Sequence, residues 1–144
     1  MADRAYFDTS VLLKRYVHER GSDRVRSLVR RYRFISSAIA PVEAIAALSR
    51  RRASGALTDR ALGAIMRRLR GDRLHWELVE VSPLVLDRAE ELVVATSLRT
   101  LDALHLASAL TFRATTGIRV PFATADAQQR DAAGLYGLDV IWVS

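Results

Sequence analysis

Ala5-Tyr6-Phe7-Asp8-Thr9-Ser10 is a short apolar run that ends on a carboxylate and continues into two hydroxyls. The same order returns near the other end of the chain, in Val120-Pro121-Phe122-Ala123-Thr124-Ala125-Asp126. Runs this short, with turn-forming polar residues after them, suit a strand buried on both faces better than a helix. Strands of that kind belong to parallel sheets covered by helices. Each run therefore reads as a central strand with an aspartate where the chain leaves the interior.

The rest of the chain alternates in the same sense. Residues 5–8 and 34–37 read as strands, as do 77–81, 120–124 and 140–143. Helices are expected over 11–17, 23–33, 41 to about 54, 58–71, 83–98 and 100–115, with a short one after Asp126. Pro41 suits a first helical position, Gly55 a stop and Thr58 a cap, while Leu62, Ile65, Met66 and Leu69 share one helical face. Alternation of strand and helix predicts an α/β domain: one mostly parallel sheet of four to five strands, spanning residues 1–144, with helices on both sides. In such sheets ligands bind beyond the carboxyl ends of the strands, where the strand order switches. Asp8 and Asp126 fall on that edge.

Two more acids stand out by their surroundings. Glu43 lies two residues after Pro41, with Ala38-Ile39-Ala40-Pro41-Val42 before it and Ala44-Ile45-Ala46-Ala47-Leu48 after it. Asp102 lies in Leu101-Asp102-Ala103-Leu104-His105-Leu106-Ala107. Taken singly, each of the four acids reads as a helix cap or a first-turn partner of the helix dipole. Asp59, beside Thr58 and Arg60, is an acid of that ordinary kind. Taken together, four carboxylates on one edge repel unless a cation sits among them, and an unpaired buried carboxylate is costly. Oxygen ligands without cysteine suit a hard cation such as Mg²⁺ or Mn²⁺, which activates water and neutralises a phosphodiester.

The bulk chemistry fits that direction. The chain carries 22 Lys and Arg against 16 Asp and Glu, a formal net charge of +6, and every basic residue except Lys14 is arginine. A positive surface attracts polyanions, and the guanidinium fork meets phosphate oxygens in two places. There is no cysteine, which excludes disulfides, Cys-zinc sites and thiol nucleophiles and suits a reducing compartment. The N-terminus lacks an apolar leader segment and no apolar run approaches the length of a membrane span, so a cytoplasmic protein with no membrane partner is expected. No glycine-rich phosphate loop is present. The Arg50-Arg51-Arg52 run and Arg67, Arg68, Arg70 and Arg73 close two successive helices and read as solvated faces, with an RNA track as the alternative. Asp131 reads as a solvated helix residue, with a supporting metal role as the alternative, and His105 as a packed histidine making one hydrogen bond, with a catalytic or metal role as the alternative.

Several segments together carry a family resemblance. They are Tyr6-Phe7-Asp8-Thr9-Ser10 with Val11-Leu12-Leu13-Lys14, Gly21-Ser22, Ala40-Pro41-Val42-Glu43, the stretch from Leu98 and Arg99 through Asp102 and His105 to Ala109, and Phe122-Ala123-Thr124-Ala125-Asp126. In this order and spacing the chain resembles PIN-domain ribonucleases, more narrowly the VapC-type toxins of toxin–antitoxin pairs. The resemblance implies a three-layer α/β/α fold and Mg²⁺- or Mn²⁺-dependent endoribonuclease activity on RNA. It implies an acidic pocket of Asp8, Glu43, Asp102 and Asp126, with Asp8, Asp102 and Asp126 on the metal. Thr9, Ser10 and Thr124 match its supporting hydroxyl positions, and Arg99 could meet phosphate or balance the acids. A homodimer and a small cognate antitoxin are its implied partners. Two other functions compete. An Asp-nucleophile phosphatase would use Asp8, but such enzymes commonly place a second Asp two residues on, where this chain has Ser10. A non-catalytic nucleic-acid-binding regulator would need the basic surface alone.

Overall fold

In the computed structural model, β1 (Arg4–Phe7) lies in the middle of a five-stranded sheet. The structure describes residues 3–144; Met1 and Ala2, the start of the segment read for a leader, lie outside them. β1 is followed by α1 (Thr9–Tyr16), α2 (Ser22–Arg31), β2 (Arg33–Ser37), α3 (Ala40–Ala53) and α4 (Asp59–Asp72). A short 3₁₀ turn leads into β3 (Glu77–Val79), and then come α5 (Pro83–Ala95), α6 (Thr100–Thr116), β4 (Phe122–Thr124), α7 (Ala127–Leu135) and β5 (Val140–Trp142). The strand order is β3-β2-β1-β4-β5 and every pairing is parallel. The chain builds outward from β1 in one direction, then returns to build outward in the other. The switch falls between β1 and β4, the two strands whose sequences end on Asp8 and Asp126.

Alternation along each central strand separates two cores. Tyr6, Ile35 and Phe122 point to one side and pack with Val85, Leu92, Leu106 and Leu110 of α5 and α6. Ala5, Phe7, Phe34 and Ala123 point to the other and pack with Val11, Leu12, Leu48, Leu62 and Leu69 of α1, α3 and α4. This is a three-layer α/β/α sandwich. Phe7 stacks on Phe34 with centroids 4.7 Å apart, and Tyr6 on Phe122 at 5.3 Å, so aromatic pairs lock adjacent strands on both faces. In α6, eight consecutive residues from Ala103 to Leu110 are buried. Its small side chains allow that, and they bring the helix close to the sheet. Among the described residues no helix is long and apolar enough to cross a membrane.

Among the boundaries that differ from the sequence reading, four have a local explanation. α1 starts at Thr9 rather than at 11, because Asp8 itself caps it. α3 starts at Ala40, which makes Ile39 the residue before the helix and gives that helix no side-chain cap. β3 ends at Val79 rather than 81, since β2 ends at Ser37, its last pairing partner. α5 ends at Ala95 because the Thr96 hydroxyl turns back onto the Leu92 carbonyl at 2.6 Å.

Gly21 opens α2 with φ of 89°, a left-handed conformation that favours glycine. A Cβ there would sit 3.0 Å from Val143 Cγ1 and 3.3 Å from Lys14 Cδ. Gly21→Ala is therefore expected to destabilise by about 1–2 kcal/mol, from backbone strain and crowding together. Urea unfolding followed by circular dichroism reads this; an unchanged midpoint would show that the turn relaxes freely.

Candidate functional site

Four helix N-termini meet at the carboxyl edge of the sheet, and each carries one acid. Asp8 is the N-cap of α1 and Asp126 the N-cap of α7. Glu43 lies in the first turn of α3 and Asp102 in the first turn of α6. The positive ends of these helices favour negative charge there, whether carboxylate or phosphate. The capping role and the site role are not alternatives: the same strand-to-helix turn that needs a cap delivers the carboxylate to the edge.

Asp8 is the most constrained of the four and only 3 % exposed. Its Oδ1 accepts from the Ser10 hydroxyl at 2.5 Å and from the Val11 amide at 3.2 Å, and its Oδ2 accepts from the buried Thr124 hydroxyl at 2.5 Å. Ser10 Oγ also accepts from the Ala125 amide, and Thr124 Oγ1 from the Asp126 amide. These hydroxyls sew the end of β1 to the end of β4. Burial pushes the Asp8 carboxyl above the usual aspartate range, opposed by His105 and by the bonds from Ser10, Thr124 and Val11.

Asp102 is half-buried. Its carboxyl is also raised, first by burial, then by the negative charges of Asp126 and Asp8, with Glu43 adding to them and His105 opposing. This is the electrical signature of one cluster: the acids of three other segments act on the Asp102 carboxyl. Asp126 accepts from the Gln128 and Gln129 amides through Oδ1, at 2.8 and 3.2 Å. Glu43 accepts from the Thr9 hydroxyl at 2.8 Å and lies 2.6 Å from His105 Nε2, both through Oε1.

The sequence reading placed all four acids in buried, apolar surroundings, and that holds for Asp8 only. Glu43, Asp102 and Asp126 are partly exposed at the rim. Compensation at Glu43 comes from Thr9 and His105, not from a cation alone. Arg99 is exposed at the N-cap of α6 and makes no ion pair among the described residues, so it does not balance the acids in this arrangement. Asp131 is exposed and paired with Arg130, as expected of a solvated helix residue. His105 exceeds its reading: it is 2 % exposed and meets three partners, Tyr6, Thr9 and Glu43. Its position three residues after Asp102 was the signal available, since that spacing shares a helix face.

The donor set is all oxygen and suits a hard divalent cation. Among the described residues no three Asp, Glu or His side chains surround one common ion position, so the acids do not form a closed cage. Magnesium does not require one, because it keeps several waters and uses one or two carboxylates together with substrate phosphates. A groove of about 680 Å³ lies elsewhere, toward the amino ends of β2 and β3, lined by Arg15, Tyr16, Phe34, Asp72 and Trp76 among others. It contains none of the four acids.

With this geometry in place, comparison with known proteins is decisive. The PIN domain family matches residues 5–135. The chain belongs to the PIN-domain family. Ribonuclease VapC46 of Mycobacterium tuberculosis (strain ATCC 25618 / H37Rv) is 36 % identical over 137 residues, covering 94 % of this chain and 95 % of that protein. A toxin–antitoxin complex from Klebsiella pneumoniae contains a chain of the same fold, with a TM-score of 0.69 at 19 % identity, covering 97 % of this chain and 98 % of that one. The PIN match spans all four acids, from the end of β1 to the start of α7.

Proposed function

We propose that this PIN-domain protein is an endoribonuclease that hydrolyses RNA at the acidic edge with Mg²⁺ or Mn²⁺, and that it serves as the toxin of a toxin–antitoxin pair in the cytoplasm. The observation that carries the nuclease reading is that Asp8, Glu43, Asp102 and Asp126 stand at four helix N-termini on the carboxyl edge of the sheet, where the strand order switches between β1 and β4. The ribonuclease relative supports RNA as substrate, and the toxin–antitoxin match supports an antitoxin partner.

Asp8, Asp102 and Asp126 are the carboxylates that would hold the ion, one or two of them directly and the rest through the waters it keeps. When bound, it supplies positive charge against the phosphodiester and lowers the pKa of water at neutral pH. The protein's own groups do the rest. Ser10, Thr124 and the Val11 amide fix Asp8, so its oxygens keep one direction. Glu43 has Oε1 held by Thr9 and lying against His105, which leaves Oε2 to take a proton from the attacking water. A P–O bond to the water oxygen forms while a P–O bond of the RNA backbone breaks, and the leaving oxygen takes its proton from solvent. The dipoles of α1 and α7, with the arginine surface, draw the phosphates to the edge.

A homodimer would cover exposed apolar side chains, some of them next in sequence to the site acids. Val42 and Leu101, neighbours of Glu43 and Asp102, are 65 % and 48 % exposed, and Leu84 and Val94 of α5 are 64 % and 87 % exposed. The phosphatase reading is disfavoured because Ser10, which donates to Asp8 Oδ1, stands where such enzymes commonly place a second aspartate.

Brief induction of the chain in a bacterial host, without any antitoxin, is expected to slow growth and to create new RNA 5′ ends that an Asp8→Asn variant does not create. Identical 5′ ends with both chains would remove the nuclease reading. New ends without growth arrest would keep the nuclease and remove the toxin role.

A further inference from the structure

Beneath the acids runs a hydrogen-bonded path that ion binding does not use. Tyr6 Oη lies 2.8 Å from His105 Nδ1. On the other side of the ring, His105 Nε2 lies 2.6 Å from Glu43 Oε1 and 3.0 Å from Thr9 Oγ1, and Thr9 donates its own hydrogen to the same Oε1 at 2.8 Å. The path joins β1, α1, α3 and α6 across positions 6, 9, 43 and 105.

Counting hydrogens determines how it is arranged. Thr9 has one hydroxyl hydrogen, and Glu43 takes it, so the Thr9 oxygen faces Nε2 with lone pairs only. A Glu43 carboxylate oxygen likewise offers only lone pairs. A bare Nε2 would face two acceptors at hydrogen-bond distance, which is repulsive. Nε2 must carry the hydrogen and share it between Glu43 and Thr9. On the far side Tyr6 is fully buried, and its phenol has one hydrogen to donate to Nδ1. The two rings are held in place: Tyr6 stacks on Phe122 and meets His105 edge-on, with centroids 5.8 Å apart at 78°.

We infer that Tyr6 and His105 are a positioning pair for Glu43: the tyrosine hydroxyl fixes the hydrogen on Nε2, and Nε2–H with Thr9 pins Oε1 so that Oε2 faces the site. This rests on Glu43 having a part in RNA cleavage. A ring nitrogen oriented by a partner on its other side is a recurrent way of fixing the groups around a reactive centre. Tyr6→Phe is the fitting probe, because it keeps the stacked ring and removes only the donor. His105→Gln keeps an N–H near the Nε2 place, whereas His105→Leu keeps volume alone.

The test has two arms. In the first, multiple-bond ¹H–¹⁵N NMR of the metal-free full chain reads the His105 ring. Nε2 is expected to carry hydrogen in the wild type and to lose part of it to Nδ1 in Tyr6→Phe. A bare Nε2 in the wild type overturns the pair. In the second arm, RNA cleavage by Tyr6→Phe is expected to fall about 10-fold in kcat with KM unchanged. His105→Gln is expected to exceed His105→Leu by a similar factor. Wild-type kcat in both Tyr6→Phe and His105→Leu, or equal losses in the Gln and Leu variants, overturns it. A wild-type chain that cuts no RNA removes the nuclease reading instead, and the NMR arm then decides the hydrogen on Nε2 by itself.

Discussion

Asp8→Asn is expected to lower RNA cleavage by at least ~10³-fold, roughly 4 kcal/mol of barrier, while the protein stays folded. The side chain keeps its size and its place at the N-cap. Asn Oδ1 still accepts from Ser10 and Val11, and Thr124, which donates to Asp8 Oδ2, turns to accept from the new amide. The net hydrogen-bond change is therefore about 1 kcal/mol or less. Against that, the variant removes a charge whose burial is unfavourable and which also raises Asp102. The metal-free variant should melt at or above the wild-type temperature at neutral pH. Activity lost together with stability kept separates a role in the reaction from a role in the fold. Gel-resolved cleavage and a thermal melt on the same preparation check both halves. A variant that cleaves normally, or one that has simply unfolded, refutes the assignment of Asp8.

The second large effect is on stability, and its sign follows from the two raised carboxyls. Asp8 and Asp102 both titrate above the ordinary aspartate value of 3.8 in the folded protein. The fold thus prefers them protonated. That stabilisation is complete below the unfolded value and is lost as pH rises through the raised folded values. Above those raised values the acids are ionised and destabilise the metal-free protein. Asp102→Asn should then raise the melting temperature at pH 7, and its advantage over the wild type should shrink as pH falls toward the ordinary aspartate range. Comparison of the two chains at each pH cancels other carboxyls, such as Asp139, which Arg119 holds low. A divalent ion removes the repulsion in the wild type. At a hundred times its Kd it adds about 2.7 kcal/mol, or about 5–10 °C for a domain of this size. Asp102→Asn should gain much less. A scan showing no shift with Mg²⁺ or Mn²⁺, or an Asp102→Asn advantage that grows on acidification, would contradict the electrostatic picture.

Much of this was legible from residue order because the deciding signals are local. Apolar runs ending on Asp8 and Asp126 mark strands that stop at the sheet edge, and Pro41, Gly55 and Thr58 mark helix ends where the chain must change direction. Three of the four acids were misjudged in burial for an equally physical reason. Periodicity shows that α3 and α6 are apolar, but it does not show that their first turns sit at the rim of a layer. The Tyr6–His105–Glu43 path was invisible because its members come together only when four elements pack. His105 alone looks like any buried histidine, and Tyr6 like any strand aromatic. The boundaries of β3 and α5 depended on a partner strand's length and on a Thr96 hydroxyl bond, neither of which a run of apolar residues encodes.

The most direct test of the acidic edge as a metal-dependent nuclease site is single-turnover cleavage of 5′-labelled bacterial RNA by the purified wild-type chain. The protein is stripped of divalent ions with EDTA and then titrated with Mg²⁺. The account predicts no product in EDTA, product that rises and saturates with Mg²⁺, and recovery by Mn²⁺ after chelation. Cleavage that proceeds at the same rate in EDTA, or a chain that makes no product at any concentration of either ion, would contradict it.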